Sequence, residues 1–184
     1  MSPTPPKPAT YEDLLALPEN VVGQIIDGEL IALPRPALRH ARVATTVSTQ
    51  LGHAFDRGAD GPGGWLFLIE PELRFGADVV VPDLAAWRRE RLDEVPDAPW
   101  LELAPDWVCE VLSPSTASLD RVKKMRVYAR ERITWYWILD PIARTLEVFR
   151  LGEDGSYVVD AAFDGTASVR ARPFDAIELE LTRP

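Results

Sequence analysis

Two runs in the middle of the chain each set a carboxylate inside an apolar segment: Asp78-Val-Val-Val-Pro-Asp83-Leu-Ala-Ala-Trp87 and Pro105-Asp-Trp-Val-Cys-Glu110-Val-Leu112. Both read as short buried strands rich in Val, Leu and Trp. That places Asp83 and Glu110 in the sheet interior or at the end of a buried strand. An ionised carboxylate there costs several kcal/mol unless something pairs with it. The usual compensators are an arginine, a lysine, or a divalent cation with oxygen ligands. The helical stretch Leu119-Asp-Arg-Val-Lys-Lys124-Met-Arg-Val-Tyr128 follows and can supply a lysine. Two strand-borne acids and a nearby lysine could build a Mg2+ site for phosphodiester hydrolysis.

The 184 residues suffice for one domain with a substantial core. We expect it over residues 10–184, after a flexible leader over residues 1–9. The leader, Met1-Ser-Pro-Thr-Pro-Pro-Lys-Pro8, lacks the apolar core of a signal peptide. No stretch approaches the ~20 apolar residues of a membrane span. Cys109 is the single cysteine, which leaves no internal disulfide and no cysteine cluster for zinc. A cytoplasmic protein without a membrane partner is the expectation. The net charge of −9 argues against sequence-blind binding of nucleic acid through overall basicity. A local basic groove stays open, because Arg121, Lys123, Lys124, Arg126, Arg130 and Arg132 fall close together. A solvated helix face is the plainer reading of that cluster.

Along the chain, Thr10 is placed to cap a helix that Pro18 ends. Asp27-Gly28 between two apolar runs predicts a tight hairpin. Val43, Val47, Leu51 and Ala54/Phe55 form one helical stripe. Residues 65–69, 72–75 and 79–81 read as adjacent antiparallel strands. A surface excursion over 88–104 precedes a strand at 106–112, a helix at 119–131, a strand at 133–139, and a hairpin around Gly152 to Gly155. Ile177-Glu-Leu-Glu-Leu181 alternates as an edge strand. The fold class is α/β, with a mixed central sheet flanked by helices and an N-terminal helix and hairpin.

The order Tyr11-Glu-Asp-Leu-Leu, Ile26-Asp-Gly-Glu-Leu30, His40, Pro82-Asp83, Glu110-Val-Leu-Ser-Pro-Ser115, Asp120, Lys124, Tyr128 and Tyr136-Trp-Ile-Leu-Asp-Pro141 resembles the Uma2 family. These are bacterial proteins of the PD-(D/E)XK nuclease superfamily. The resemblance runs over about residues 10 to 181, and Glu110 to Thr116 with Asp120, Lys124 and Tyr128 is its most specific part. It implies a restriction-endonuclease-like core and metal-dependent cleavage of nucleic acid. Asp83 and Glu110 would be the acids holding Mg2+ or Mn2+, with a main-chain carbonyl near Val111. The superfamily's lysine usually stands two residues past the second acid; here Leu112 is there, and Lys124 on the next helix fits the role. Gln24 stands where relatives commonly carry a glutamate. His40, Glu72, Asp120, Arg121 and Tyr128 complete the candidates for supporting or substrate-holding roles.

Plainer roles compete for several of these residues. Asp83 could cap a turn after Pro82, and Glu110 could pair with an arginine. Lys124 could pair with Asp120 on a wet helix face, leaving Val122, Met125 and Ala129 to the core. Asp120 could be a first-turn acid favoured by the helix dipole. His40 could be a partly exposed polar residue. One of Glu70 and Glu72 could approach a metal, or both could be solubilising edge charges. Ser113 and Ser115 lack a nucleophile-elbow pattern, which disfavours serine hydrolase chemistry. A nuclease fold without catalysis, acting as a binding or regulatory module, is the alternative to the enzyme; a two-carboxylate glycosidase is a weaker one. A two-fold dimer is expected by analogy with small nucleases.

Overall fold

The computed structural model describes residues 7–165 and 168–181. Residues 1–6 of the expected leader lie outside the described residues. Its end is tied down: the Ala9 amide donates to the Gly28 carbonyl at 2.8 Å. Helix α1, Tyr11–Leu15, opens with Thr10 and Asp13 bonding each other's backbone in a capping box. Strands β1, Val21–Ile26, and β2, Glu29–Pro34, form the expected hairpin. Asp27 and Gly28 take φ 51° and 78°, the left-handed values that a two-residue hairpin turn demands.

Helix α2, Leu38–Leu51, runs on into a π-helical turn, Gly52–Asp56. The expected stripe of Val43, Val47, Leu51, Ala54 and Phe55 is buried. Strand β3 is Trp65–Ile69, β4 Leu73–Phe75, β5 Asp78–Val80, β6 Leu84–Arg88 and β7 Trp107–Val111. A π-helical segment, Leu119–Lys124, leads directly into α3, Met125–Arg130. Strands β8, Trp135–Asp140, β9, Thr145–Leu151, and β10, Tyr157–Phe163, follow.

The strands form two sheets, ordered β10-β9-β8-β7-β6-β3 and β2-β1-β5-β4. Strands β7 and β8 pair in parallel, across the helical crossover, and the other pairs of the larger sheet are antiparallel among the described residues, so that sheet is mixed. One face of it packs on α2 and on the C-terminal stretch carrying Phe174, Leu179 and Leu181. The other face meets the smaller sheet through Ile26, Leu73 and Val80, and α3 through Val127 and Tyr128.

Two expectations are corrected. The segments at 65–69, 72–75 and 79–81 are not one meander: β3 is an edge of the larger sheet, whereas β4 and β5 lie in the smaller one. Proline makes the break. Glu70 turns the chain at φ 48° just before Pro71, and Pro82, which has no N–H to donate, separates β5 from β6. The second break carries the chain from one sheet to the other, with Asp83 on the crossover. The tail does not form a strand either. A single bridge joins Leu179 to Val169, and Leu179 and Leu181 serve as core plugs.

Candidate active site

The crossover puts Asp83 immediately before β6. Residues Leu84, Ala85 and Ala86 pair with Cys109, Val108 and Trp107, so continuing that register one place brings Asp83 opposite Glu110. Residues opposite each other in an antiparallel pair point to the same face. Both acids line one cleft of about 260 Å³, together with Gln24, His40, Glu70, Asp120 and Lys124.

Asp83 is held through one oxygen. Its Oδ2 accepts the Val111 amide at 2.7 Å and meets His40 Nε2 at 3.1 Å. Among the described residues Oδ1 has no hydrogen-bond partner, so the carboxylate keeps one oxygen for the cleft. His40 is buried, with Nδ1 unpartnered among the described residues. Burial alone lowers its basicity, but the Asp83 bond and the charges of Asp83, Glu70 and Asp120 outweigh that and raise its pKa.

Glu110 is more enclosed still. Tyr128 Oη donates to its Oε1 at 2.5 Å, and Lys124 Nζ donates to its Oε2 at 2.9 Å. Burial pushes its pKa up to about 8; the ammonium of Lys124 opposes this, and the neighbouring carboxylates of Asp120 and Asp83 add to it. Lys124 also donates to the Val81 carbonyl at 3.1 Å and stands 3.5 Å from Asp120 Oδ1. Burial works against its charge, and the acids around it more than compensate, holding the pKa above the usual lysine value. Asp120 is pushed up by burial, against the pull of Lys124 and of a hydrogen bond from Thr116.

The helix face is therefore the reverse of the hydrophobic expectation. Asp120, Lys124 and Tyr128 point inward and Val122 is 51 % exposed. The wet-surface reading of Lys124 is overturned, and so is the expectation that Val122 faces the core. Both Asp120 and Lys124 lie in the π-helical segment. A wider turn of that kind is frequent at functional sites.

Gln24 is buried on β1, and its Oε1 accepts the Val81 amide at 3.0 Å. Gln24 and Lys124 thus grip the two backbone ends of Val81. Glu72 is not brought to the cleft. It accepts from Arg74 at 2.8 Å and from Tyr11 at 3.2 Å, with the Arg74 guanidinium lying against the rings of Tyr11 and Trp100. The acid that lines the cleft is Glu70, whose amide bonds the Asp83 carbonyl. Arg121 is turned away as well, paired with Glu147 on β9 at 2.5 Å. The Val81 carbonyl had no sequence signal, because a main-chain atom is not marked by residue type.

Among the described residues no three His, Cys, Asp or Glu side chains converge as a ready-made metal cage. The donors that are present suit a hard cation of another style. Mg2+ is commonly held by one or two carboxylates, with waters and substrate phosphate completing its shell. The oxygens the cleft offers for this are the free Oδ1 of Asp83, Glu110, whose two oxygens already accept from Lys124 and Tyr128, and the main chain at Val111.

Comparison with known proteins bears on the fold. No curated protein matches the chain. A solved structure from Anabaena variabilis, described as a putative nuclease belonging to DUF820, superimposes with a TM-score of 0.75 at 23 % identity, covering 95 % of this chain and 96 % of that one. No helix is long and apolar enough to cross a membrane among the described residues. The sequence pattern of the Uma2 family, described as "Putative restriction endonuclease", matches residues 8–182, and the chain belongs to that family.

Proposed function

We propose that this protein is a metal-dependent nuclease that hydrolyses phosphodiester bonds of nucleic acid in the cleft between the two sheets. One observation carries the reading: Asp83 and Glu110 share a face at neighbouring register positions of one cleft, with Lys124 against Glu110. Oδ1 of Asp83, the Glu110 carboxylate and the Val111 carbonyl would hold Mg2+ or Mn2+. When bound, the cation would supply charge neutralisation at the scissile phosphate and acidify an attacking water.

The protein's own groups do the rest. His40 and the Val111 amide fix Asp83 through Oδ2 and so aim Oδ1 into the cleft. Tyr128 locks the other end of Glu110. Lys124 can turn a proton from the Val81 carbonyl toward a phosphate oxygen and stabilise the charge that develops there. Its neighbours Glu110 and Asp120 keep it protonated for that task. By the family resemblance the products carry a 5′-phosphate and a 3′-hydroxyl; by analogy with small nucleases the working form is a two-fold dimer, and the composition favours the cytoplasm.

A second reading is a nuclease fold that binds without cutting. Two observations favour it: Gln24 is an amide, and both Glu110 oxygens are already satisfied by protein donors. A cleavage assay on DNA and RNA, with Mg2+, with Mn2+ and with chelator, decides between them. Metal-dependent cleavage that disappears in Asp83→Asn establishes the enzyme. Nucleic-acid binding without cleavage under every condition establishes the module.

A further inference from the structure

The side chain of Gln24 has one end tied and one end free. Its Oε1 accepts the Val81 amide at 3.0 Å. A backbone N–H can only donate, so the oxygen must be the end that faces it, and the orientation of the side-chain amide is fixed. Nε2, with its two protons, is left on the other side. Gln24 is 1 % exposed, and Nε2 has no hydrogen-bond partner among the described residues. Nor is it sealed in. Among the described residues, the unpartnered side-chain atoms shut off from solvent are His40 Nδ1, Arg74 Nη2 and Trp107 Nε1. Gln24 lines the cleft that holds Asp83 and Glu110, so its free donor opens there.

The rest of the cleft is rich in acceptors. Asp83, Glu110 and Asp120 all line it. Lys124 already has an oxygen neighbour for each of its three protons: Glu110 Oε2 at 2.9 Å, the Val81 carbonyl at 3.1 Å and Asp120 Oδ1 at 3.5 Å. Gln24 Nε2, by contrast, has nothing to hold. A buried donor left without an acceptor is costly, and an occupant that brings an acceptor removes that cost. A glutamate at this position would keep the Val81 bond and add one more acceptor among acceptors. The glutamine adds a donor instead, and no charge to repel an anion. Gln24 and Lys124 are anchored at the amide and the carbonyl of Val81, so one residue fixes both donors.

We propose that Gln24 is a substrate-binding residue, whose Nε2 donates to a non-bridging oxygen of the phosphodiester and holds it in the cleft beside Asp83 and Lys124. The proposal rests on the nuclease reading for the identity of its ligand. It separates two roles open to position 24: an acid at this wall serves the cation, and an amide serves the anion. A contact of this kind places the strand without reading its sequence.

The test is steady-state cleavage of duplex DNA, single-stranded DNA and RNA by the full-length protein in saturating Mg2+, paired with Mn2+ calorimetry on the same proteins without nucleic acid. Gln24→Glu keeps the Val81 bond and exchanges the donor for an acceptor. Gln24→Met keeps the length of the side chain and has neither. Melting curves establish that each variant is folded at the assay temperature. In both, kcat/KM should fall roughly 10- to 100-fold, the range for one hydrogen bond to a charged group. The loss should lie mainly in KM, because bound substrate and transition state share the contact. Mn2+ affinity should move the other way in Gln24→Glu, which binds tighter, and stay unchanged in Gln24→Met. If Gln24→Glu cleaves as well as wild type or better, position 24 serves the cation; the proposal is wrong and the nuclease reading stands. If Gln24→Met keeps the wild-type KM, the donor is idle and the proposal is again wrong. If the wild type cleaves none of the substrates, both fall.

Discussion

The backbone amide of Val111 donates to the Asp83 carboxylate at 2.7 Å. That bond fastens the end of the strand bearing Glu110 to the proline crossover bearing Asp83. Because His40 meets the same oxygen, the Asp83 carboxylate is fixed from two sides.

A cation that binds only the folded protein stabilises it by mass action. At metal concentrations about 100 times the Kd the gain is about 2.7 kcal/mol, which for a chain of this length is a rise of roughly 5–10 °C in Tm. Melting curves with Mg2+ or Mn2+ should show it, and Asp83→Asn, which keeps the shape and loses the charge, should not respond. A wild-type Tm indifferent to millimolar metal would sink the metal site.

Lys124 and Lys123 separate cleanly. Lys124 is buried between Glu110 and Asp120, so Lys124→Ala strands two buried acids. The expected loss is about 3–5 kcal/mol in urea denaturation, together with loss of cleavage. Lys123 makes only a surface bridge to Glu29, and Lys123→Ala should cost under about 1 kcal/mol and leave cleavage in place. Equal stability of the two variants would refute the buried triad.

Gln24→Glu keeps the acceptor for the Val81 amide and adds a carboxylate at the wall of the cleft. Calorimetric titration with Mn2+ should give several-fold tighter binding in this variant. Unchanged or weaker binding would mean that position 24 does not face the cation.

Cys109 is fully buried beside Glu110, and burial pushes its thiol pKa well up. The thiolate is the reactive form. A disulfide reagent at about pH 8 should therefore leave the native protein unlabelled and react only as denaturant unfolds it. Prompt labelling of the native protein would show that the β7 core opens without global unfolding.

The three principal residues were legible because each is chemically conspicuous where it stands. Asp83 and Glu110 are acids inside apolar runs, and Lys124 belongs to a family pattern. The packing around Lys124 was not legible. Hydrophobicity alone turns Val122 inward, and it cannot register that two buried carboxylates outweigh a valine in fixing the orientation of a helix. Nor could local pattern assign strands to sheets: β3, β4 and β5 look alike in sequence, and only pairing separates them. The choice between Glu70 and Glu72 turned on the same point, since the break at Pro71 sends the two acids to different sides of the fold.

The proline crossover also makes the cleft a joint product of the two sheets. Glu110 belongs to the six-stranded sheet, Gln24 to the four-stranded one, and Asp83 to the link between them. A chain that has formed only the larger sheet already has β7 paired but has no cleft, because the wall bearing Gln24 and the Val81 carbonyl is missing. The cleft exists only when the sheets are docked. Any fluctuation that parts them takes the cleft apart while each sheet can stay paired.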